Sequence, residues 1–81
     1  MTAADRKAYP EACQIAENIR VLMSRDRSSQ TALSKFVRFT DRTLRNRLER
    51  PWEFRFAELE DIAHYFGLTV RELTKPMRFE D

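Results

Sequence analysis

Residues 39 to 51 read FTDRTLRNRLERP: four arginines fall between positions 42 and 50, with Leu44 and Leu48 set among them four apart. A guanidinium is a permanent cation whose fork of N–H donors fits phosphate oxygens and the O6/N7 edge of guanine. An asparagine amide can pair with N6 and N7 of adenine. On a helical wheel at about 100° per residue, Leu44 and Leu48 share one edge. Arg42 and Asn46 lie opposite, Arg45 and Glu49 stand beside them, Arg50 falls just past, and Thr43 and Arg47 flank the other side. Such a helix buries two leucines and turns a cationic face outward, which suits a polyanion whose groove admits a helix. The competing reading is a solvated helix held by its own ion pairs. Asp41 precedes Arg45 by four and Arg45 precedes Glu49 by four, and each pair is worth only ~0.2–0.5 kcal/mol.

The elements around this segment follow from periodicity and punctuation. The chain has 81 residues, 42% of them hydrophobic, with one glycine and three prolines, which favours helices over a turn-rich sheet. The expected class is all-α. A domain of this size buries only about 60–65% of its unfolded surface, so stability is modest unless a partner or a dimer adds to it. Residues 1–10 read as a loose arm ending at Pro10, which suits a first helical turn. Ala12, Ile15, Ala16, Ile19, Leu22 and Met23 then mark one amphipathic helix. A second, two-turn helix is read in SQTALSKFV with Leu33, Phe36 and Val37 on one side. Thr40 and Asp41 cap a third helix over about Asp41 to Glu49, and Pro51 stops it near Arg50. PWEFR is a loop with aromatic anchors. A fourth helix carries Phe56, Leu59, Ile62, Ala63 and Phe66 on its stripe and stops at Gly67. TVRE boxes the start of a last short helix that ends before Pro76, with Leu73 facing in. The expectation is five helices over 11–75 and a tail at 76–81.

Charge is unevenly spread. Residues 34 to 55 hold seven basic groups against three acidic, a net of +4, whereas residues 56 to 73 hold four acidic against one basic, a net of −3. The whole chain carries only +2. Local asymmetry of this kind points to an anionic partner on one face, against a merely solvated charged surface.

The stretch from SQTALSKFV through RFTDRTLRNRL to ELEDIAHYFGLTVREL resembles the phage-repressor helix-turn-helix family, the lambda repressor and Cro-like proteins also called the XRE family. The similarity runs over roughly residues 11 to 75 and rests on Gln30, Leu33, Val37, Thr40 and the TLRNRL segment in order. It implies a five-helix domain whose third helix enters the major groove, usually as a homodimer on a near-palindromic operator. By position it implies base reading by Asp41, Arg42, Arg45 and Asn46. It places Gln30 on backbone phosphate and as a brace for the reading helix, with Arg50 and Arg55 around the following loop on phosphates. Thr43 and Arg47 are expected as phosphate or bracing residues. At Asp41 two roles stay open: accepting from cytosine N4, or orienting Arg45. The turn position that the family usually gives to glycine is Arg38, so a differently drawn turn is expected there.

Other residues point away from chemistry. Cys13 is the single cysteine, which excludes an internal disulfide, and it reads as inert packing in a reducing, cytoplasmic setting. His64 is the single histidine and has no partner ligand nearby in sequence, so no metal is expected. No phosphate loop or nucleophile constellation is found, and no cofactor, small-molecule ligand, membrane span or catalysis is expected. Trp52, Phe54 and Phe56 offer either a stacking surface for single strands or, the preferred reading, a seal over a small core. Met77 and Phe79 are expected to pack on the core or on a second subunit. Two function classes result: a phage or prophage repressor binding a double-stranded DNA operator, and a helical adaptor of the antitoxin or anti-repressor kind whose target is a protein.

Overall fold

The longest apolar stripe makes the longest helix. In a computed structural model of the chain, residues 2–26 and 30–77 are described, with Gln30 placed in its helix but not its side chain. Helix α1 spans Ala3–Ala8, α2 Pro10–Arg25, α3 Gln30–Val37, α4 Asp41–Glu49, α5 Phe56–Tyr65 and α6 Val70–Leu73, with a 3-10 turn at Pro51–Glu53. No strand occurs among the described residues, and the fold is all-α. The core gathers Ile15, Ala16, Ile19 and Leu22 of α2, Leu33 and Val37 of α3, Leu44 and Leu48 of α4, Ile62 and Ala63 of α5, and Leu73 of α6. Every helix from α2 to α6 therefore contributes, and α4 rests on α2, α3 and the 3-10 turn.

The amino-terminal residues depart from the expected arm. Thr2 and Asp5 cap each other's turn: the Asp5 N–H donates to Thr2 Oγ1 at 3.1 Å, and the Thr2 N–H donates to Asp5 Oδ2 at 3.0 Å. Six residues are too few to hold a helix in water unaided. A tertiary contact holds this one: the Tyr9 ring stacks on Trp52 at 4.8 Å, while the exposed Arg6–Glu17 pair at 3.5 Å adds little. The Thr2 backbone donor, more than any neighbouring charge, holds the Asp5 carboxyl below its ordinary value of 3.8.

Two helix ends share one geometry. At Gly67, φ is +72°, the Leu68 N–H donates to Ala63 O at 2.8 Å, and the Gly67 N–H donates to His64 O at 3.0 Å. At Arg38, φ is +61°, the Phe39 N–H donates to Ser34 O at 2.8 Å, and the Arg38 N–H donates to Lys35 O at 3.4 Å. Both are left-handed terminations that satisfy the last carbonyls of a helix. The turn before α4 is thus drawn as a glycine turn although an arginine occupies it. A Cβ in this conformation costs on the order of 1 kcal/mol.

Two inward assignments are corrected. Phe36 is 48% exposed and Phe56 66% exposed. Phe36 lies off the Leu33–Val37 stripe, where Ser34 is buried in its stead, and its ring leans on Tyr65 at 5.1 Å. Phe56 opens α5 at the edge of its stripe, on the side shared with the exposed Glu60 and His64. Of the tail, Met77 packs against the core, and Phe79 lies outside the described residues.

One buried polar residue was invisible to periodicity. Asn18, 1% exposed, accepts from Gln14 Nε2 at 2.9 Å and donates through Nδ2 to Leu73 O at 2.6 Å and Lys75 O at 2.7 Å. It satisfies carbonyls at the end of α6 and ties the carboxy-terminal segment to α2. Replacing Asn18 by Ala strands both carbonyls and is expected to cost about 2 kcal/mol, read as a lower urea midpoint at unchanged slope.

Asp5 has a lowered folded pKa, so its capping is complete above the ordinary carboxylate value and is lost as pH falls through the folded value. Acidification through that lowered value, below the ordinary 3.8, should therefore loosen α1 and free Tyr9 from Trp52, the only tryptophan. A step in Trp52 emission is expected there in the wild type and not in Asp5→Ala.

Candidate nucleic-acid interface

Helix α4 begins where Thr40 stops the chain from being helical earlier. Thr40 is extended, at φ −80° and ψ 158°, and its Oγ1 accepts from the Thr43 N–H at 3.0 Å. A cap of this type is worth about 1 kcal/mol. At the other end the Arg50 N–H closes on Asn46 O at 2.9 Å, and buried Pro51 starts the 3-10 turn. Leu44 is 0% exposed and Leu48 5% exposed, so one edge of α4 is sealed against the core. Their spacing fixes the rotation of the helix and thereby which side chains can reach a partner.

The arginines divide into two groups. Arg42 and Arg45 are exposed, and among the described residues neither has an ion-pair partner. Asn46 is exposed beside them. Arg47 is half-buried and faces protein: its Nε meets Glu58 Oε1 at 3.3 Å and its Nη1 meets Glu53 Oε1 at 3.9 Å. Glu58 Oε1 also accepts from the Arg55 N–H at 2.8 Å, so one carboxylate oxygen closes the first turn of α5 and holds α4 against it. Arg50 lies between these groups, 68% exposed at the side chain and 3.6 Å from Glu53. Arg55 is exposed at the start of α5.

The i,i+4 pairs expected along α4 do not form. Arg45 pairs with neither Asp41 nor Glu49, because an exposed pair gains too little to immobilise two long side chains. Asp41, exposed at the first position of α4, instead accepts from Thr31 Oγ1 of α3 at 3.0 Å. That bond ties the first turns of α3 and α4 together. Thr43 is half-buried, and its Oγ1 lies 2.9 Å from Thr40 Oγ1, within the cap. The Gln30 side chain, expected on phosphate, lies outside what is described.

Sequence spacing thus marks Asp41, Arg42, Thr43, Arg45, Asn46 and Arg47 as one segment, and the fold sorts them into a free face, a cap and a brace. The brace needed Glu58, eleven residues from Arg47 and signalled only by the acidic composition of α5. Thr31 carried no signal at all.

The remaining surface is different in kind. Phe56, Glu60, Ala63, His64, Leu68, Thr69 and Val70 line a shallow cleft of about 350 Å³. Phe36 stacks on His64 at its side, with ring centroids 6.2 Å apart. Among the described residues no group of three histidine, cysteine or carboxylate side chains is placed to hold a metal ion, and no helix is long and apolar enough to cross a membrane. Trp52 is half-buried under the Tyr9 ring and Phe54 packs against the core, so these two rings seal the loop after α4. Comparison of the chain with protein-family models, with curated proteins and with solved structures finds no match.

The division of the arginines has a measurable consequence. Arg42→Ala and Arg45→Ala are expected to change stability by less than about 0.5 kcal/mol. Arg47→Met and Glu58→Gln should each destabilise, with a coupling of about 1 kcal/mol in a double-mutant cycle followed by urea unfolding.

Proposed function

We propose that this chain is a sequence-specific double-stranded DNA-binding transcription regulator, a repressor of the phage or prophage Cro/C1 type acting by operator occupancy. The observation that carries the reading is the free face of α4. Two guanidinium groups and an amide project from a helix whose opposite edge is buried, while the neighbouring arginine is neutralised by acidic side chains. Leaving exposed cations without intramolecular partners gains nothing for the fold, and it suits an anionic surface met from outside.

The mechanism follows from groove chemistry. Arg42 and Arg45 reach guanine O6 and N7, and Asn46 reaches adenine N6 and N7. Arg50 and Arg55, on the loop side of α4, meet phosphates and set register without selecting sequence. Asp41, bonded to Thr31, stands at the start of the same face, where its carboxylate can accept from cytosine N4. A homodimer would place two α4 helices in successive major grooves, about 34 Å apart. The resemblance of the SQTALSKFV to ELEDIAHYFGLTVREL stretch to the phage-repressor family supports the same reading.

One observation favours the second class. Phe36 and Phe56 are exposed beside the cleft between α5 and α6, which suits a protein-binding adaptor. Salt separates the two readings, because only binding to a duplex releases condensed counterions.

The test is binding to a duplex selected from a random pool, compared with random duplex over a range of salt. Wild-type affinity should fall steeply and linearly in log–log form with salt. Arg42→Ala should cost about 1–3 kcal/mol on the selected site and much less on random DNA. Equal losses on both would reduce Arg42 to a phosphate contact, and a flat salt response would leave the adaptor.

A further inference from the structure

The chain terminates two helices with the same left-handed turn and treats them differently. Its single glycine, Gly67, closes α5 at φ +72°, and a Cβ placed there would meet nothing within 4 Å. Glycine at that position therefore answers to backbone conformation and not to space. Arg38 closes α3 with the same pair of hydrogen bonds at φ +61°. Here the chain accepts a strained Cβ, three residues before α4 begins. An outlier of this kind persists where the surrounding structure fixes it, and such positions cluster at functional sites.

The Arg38 side chain has no use inside the fold. It is exposed, and its side chain makes no ion pair or hydrogen bond among the described residues. It stands in the most basic part of the chain, between exposed Lys35 on α3 and exposed Arg42 on α4. The turn itself also fixes where the guanidinium starts: the two hydrogen bonds to α3 and the Thr40 cap hold the backbone on both sides of it. A permanent cation on a rigid turn is suited to a phosphate oxygen, because little ordering remains to be done on contact.

We infer that Arg38 is a DNA-backbone residue, retained at a strained position so that its guanidinium can bind a phosphate flanking the bases read by α4. This rests on the proposed DNA binding and assigns to it a contact outside the recognition helix. The contact is one of register and affinity, blind to sequence.

Stability and binding should then change with opposite signs in one variant. Arg38→Gly relieves the strain, so its melting temperature should rise by about 4 °C. Its affinity should nevertheless fall severalfold, equally on the selected and the random duplex, with the salt slope shallower by about one. Arg38→Asn, which tolerates the left-handed region and keeps the turn stiffer than glycine does, should lose affinity in the same way. Arg38→Lys should melt and bind like the wild type. A glycine variant that melts higher and binds both duplexes with the wild-type slope would overturn the inference while leaving the DNA reading intact. Loss in the glycine variant that Arg38→Asn does not share would also overturn it, since conformation rather than charge would then be responsible. Absence of salt-dependent duplex binding by the wild type itself would remove the reading and the inference together.

Discussion

Burial of Leu44 and Leu48 is the constraint on which the arrangement of charge depends. Two side chains one turn apart fix both the position of α4 and its rotation, since any other rotation would expose one of them. Fully burying a leucine is worth about 1.5–3 kcal/mol, more than any single ion pair on this helix. Apolar contact therefore decides which way the arginines face, and electrostatics acts on what remains. With the leucines at 0% and 5% exposure, Arg42 and Asn46 are carried to the solvent side and Arg47 is brought to the flank of α5.

The acidic half of the chain then has a definite task. Glu53 and Glu58 sit where α4 meets the 3-10 turn and the start of α5, and they engage Arg47 and Arg50. Glu58 combines two duties, since the oxygen that accepts from Arg55 N–H is the one that meets Arg47 Nε. With the half-buried cation neutralised, Arg42 and Arg45 stay exposed on α4 with no ion pair among the described residues. Thr31 and Asp41 make the corresponding tie at the other end, between α3 and α4. The helix is held by hydrophobic contact along its length and by polar ties near both termini.

Much of this was legible from the chain. The limits of α4 were, because Thr40 offers a cap, Pro51 a stop and the leucines a face. The all-helical class was, because a chain with one glycine lacks the turn residues of a sheet. Helix α1 was not: its short capping box at Thr2 and Asp5 is too weak to predict without the Tyr9–Trp52 stack, and that stack joins residues 43 positions apart. Asn18 escaped for the same reason, since its carbonyl partners lie 55 and 57 residues away. Phe36 and Phe56 were placed inside because hydrophobicity does not say how far a residue stands from the centre of its stripe. Arg38 was expected to change the turn, yet two backbone hydrogen bonds and the packing of Phe39 against the core outweigh the cost of its Cβ. Within the candidate site, spacing marked the segment, but only tertiary partners could separate the exposed arginines from a bracing one.

The most direct test tracks the guanidinium groups themselves. Nuclear magnetic resonance of the arginine Nε–Hε signals, recorded while a selected duplex is titrated in, reports each side chain separately. Arg42 and Arg45 are expected to shift strongly together with the Asn46 amide, while Arg47 keeps its position against Glu58. Shifts that gather on Phe36, Phe56 and His64, or that move Arg47 as much as Arg42, would contradict a DNA-reading face on α4.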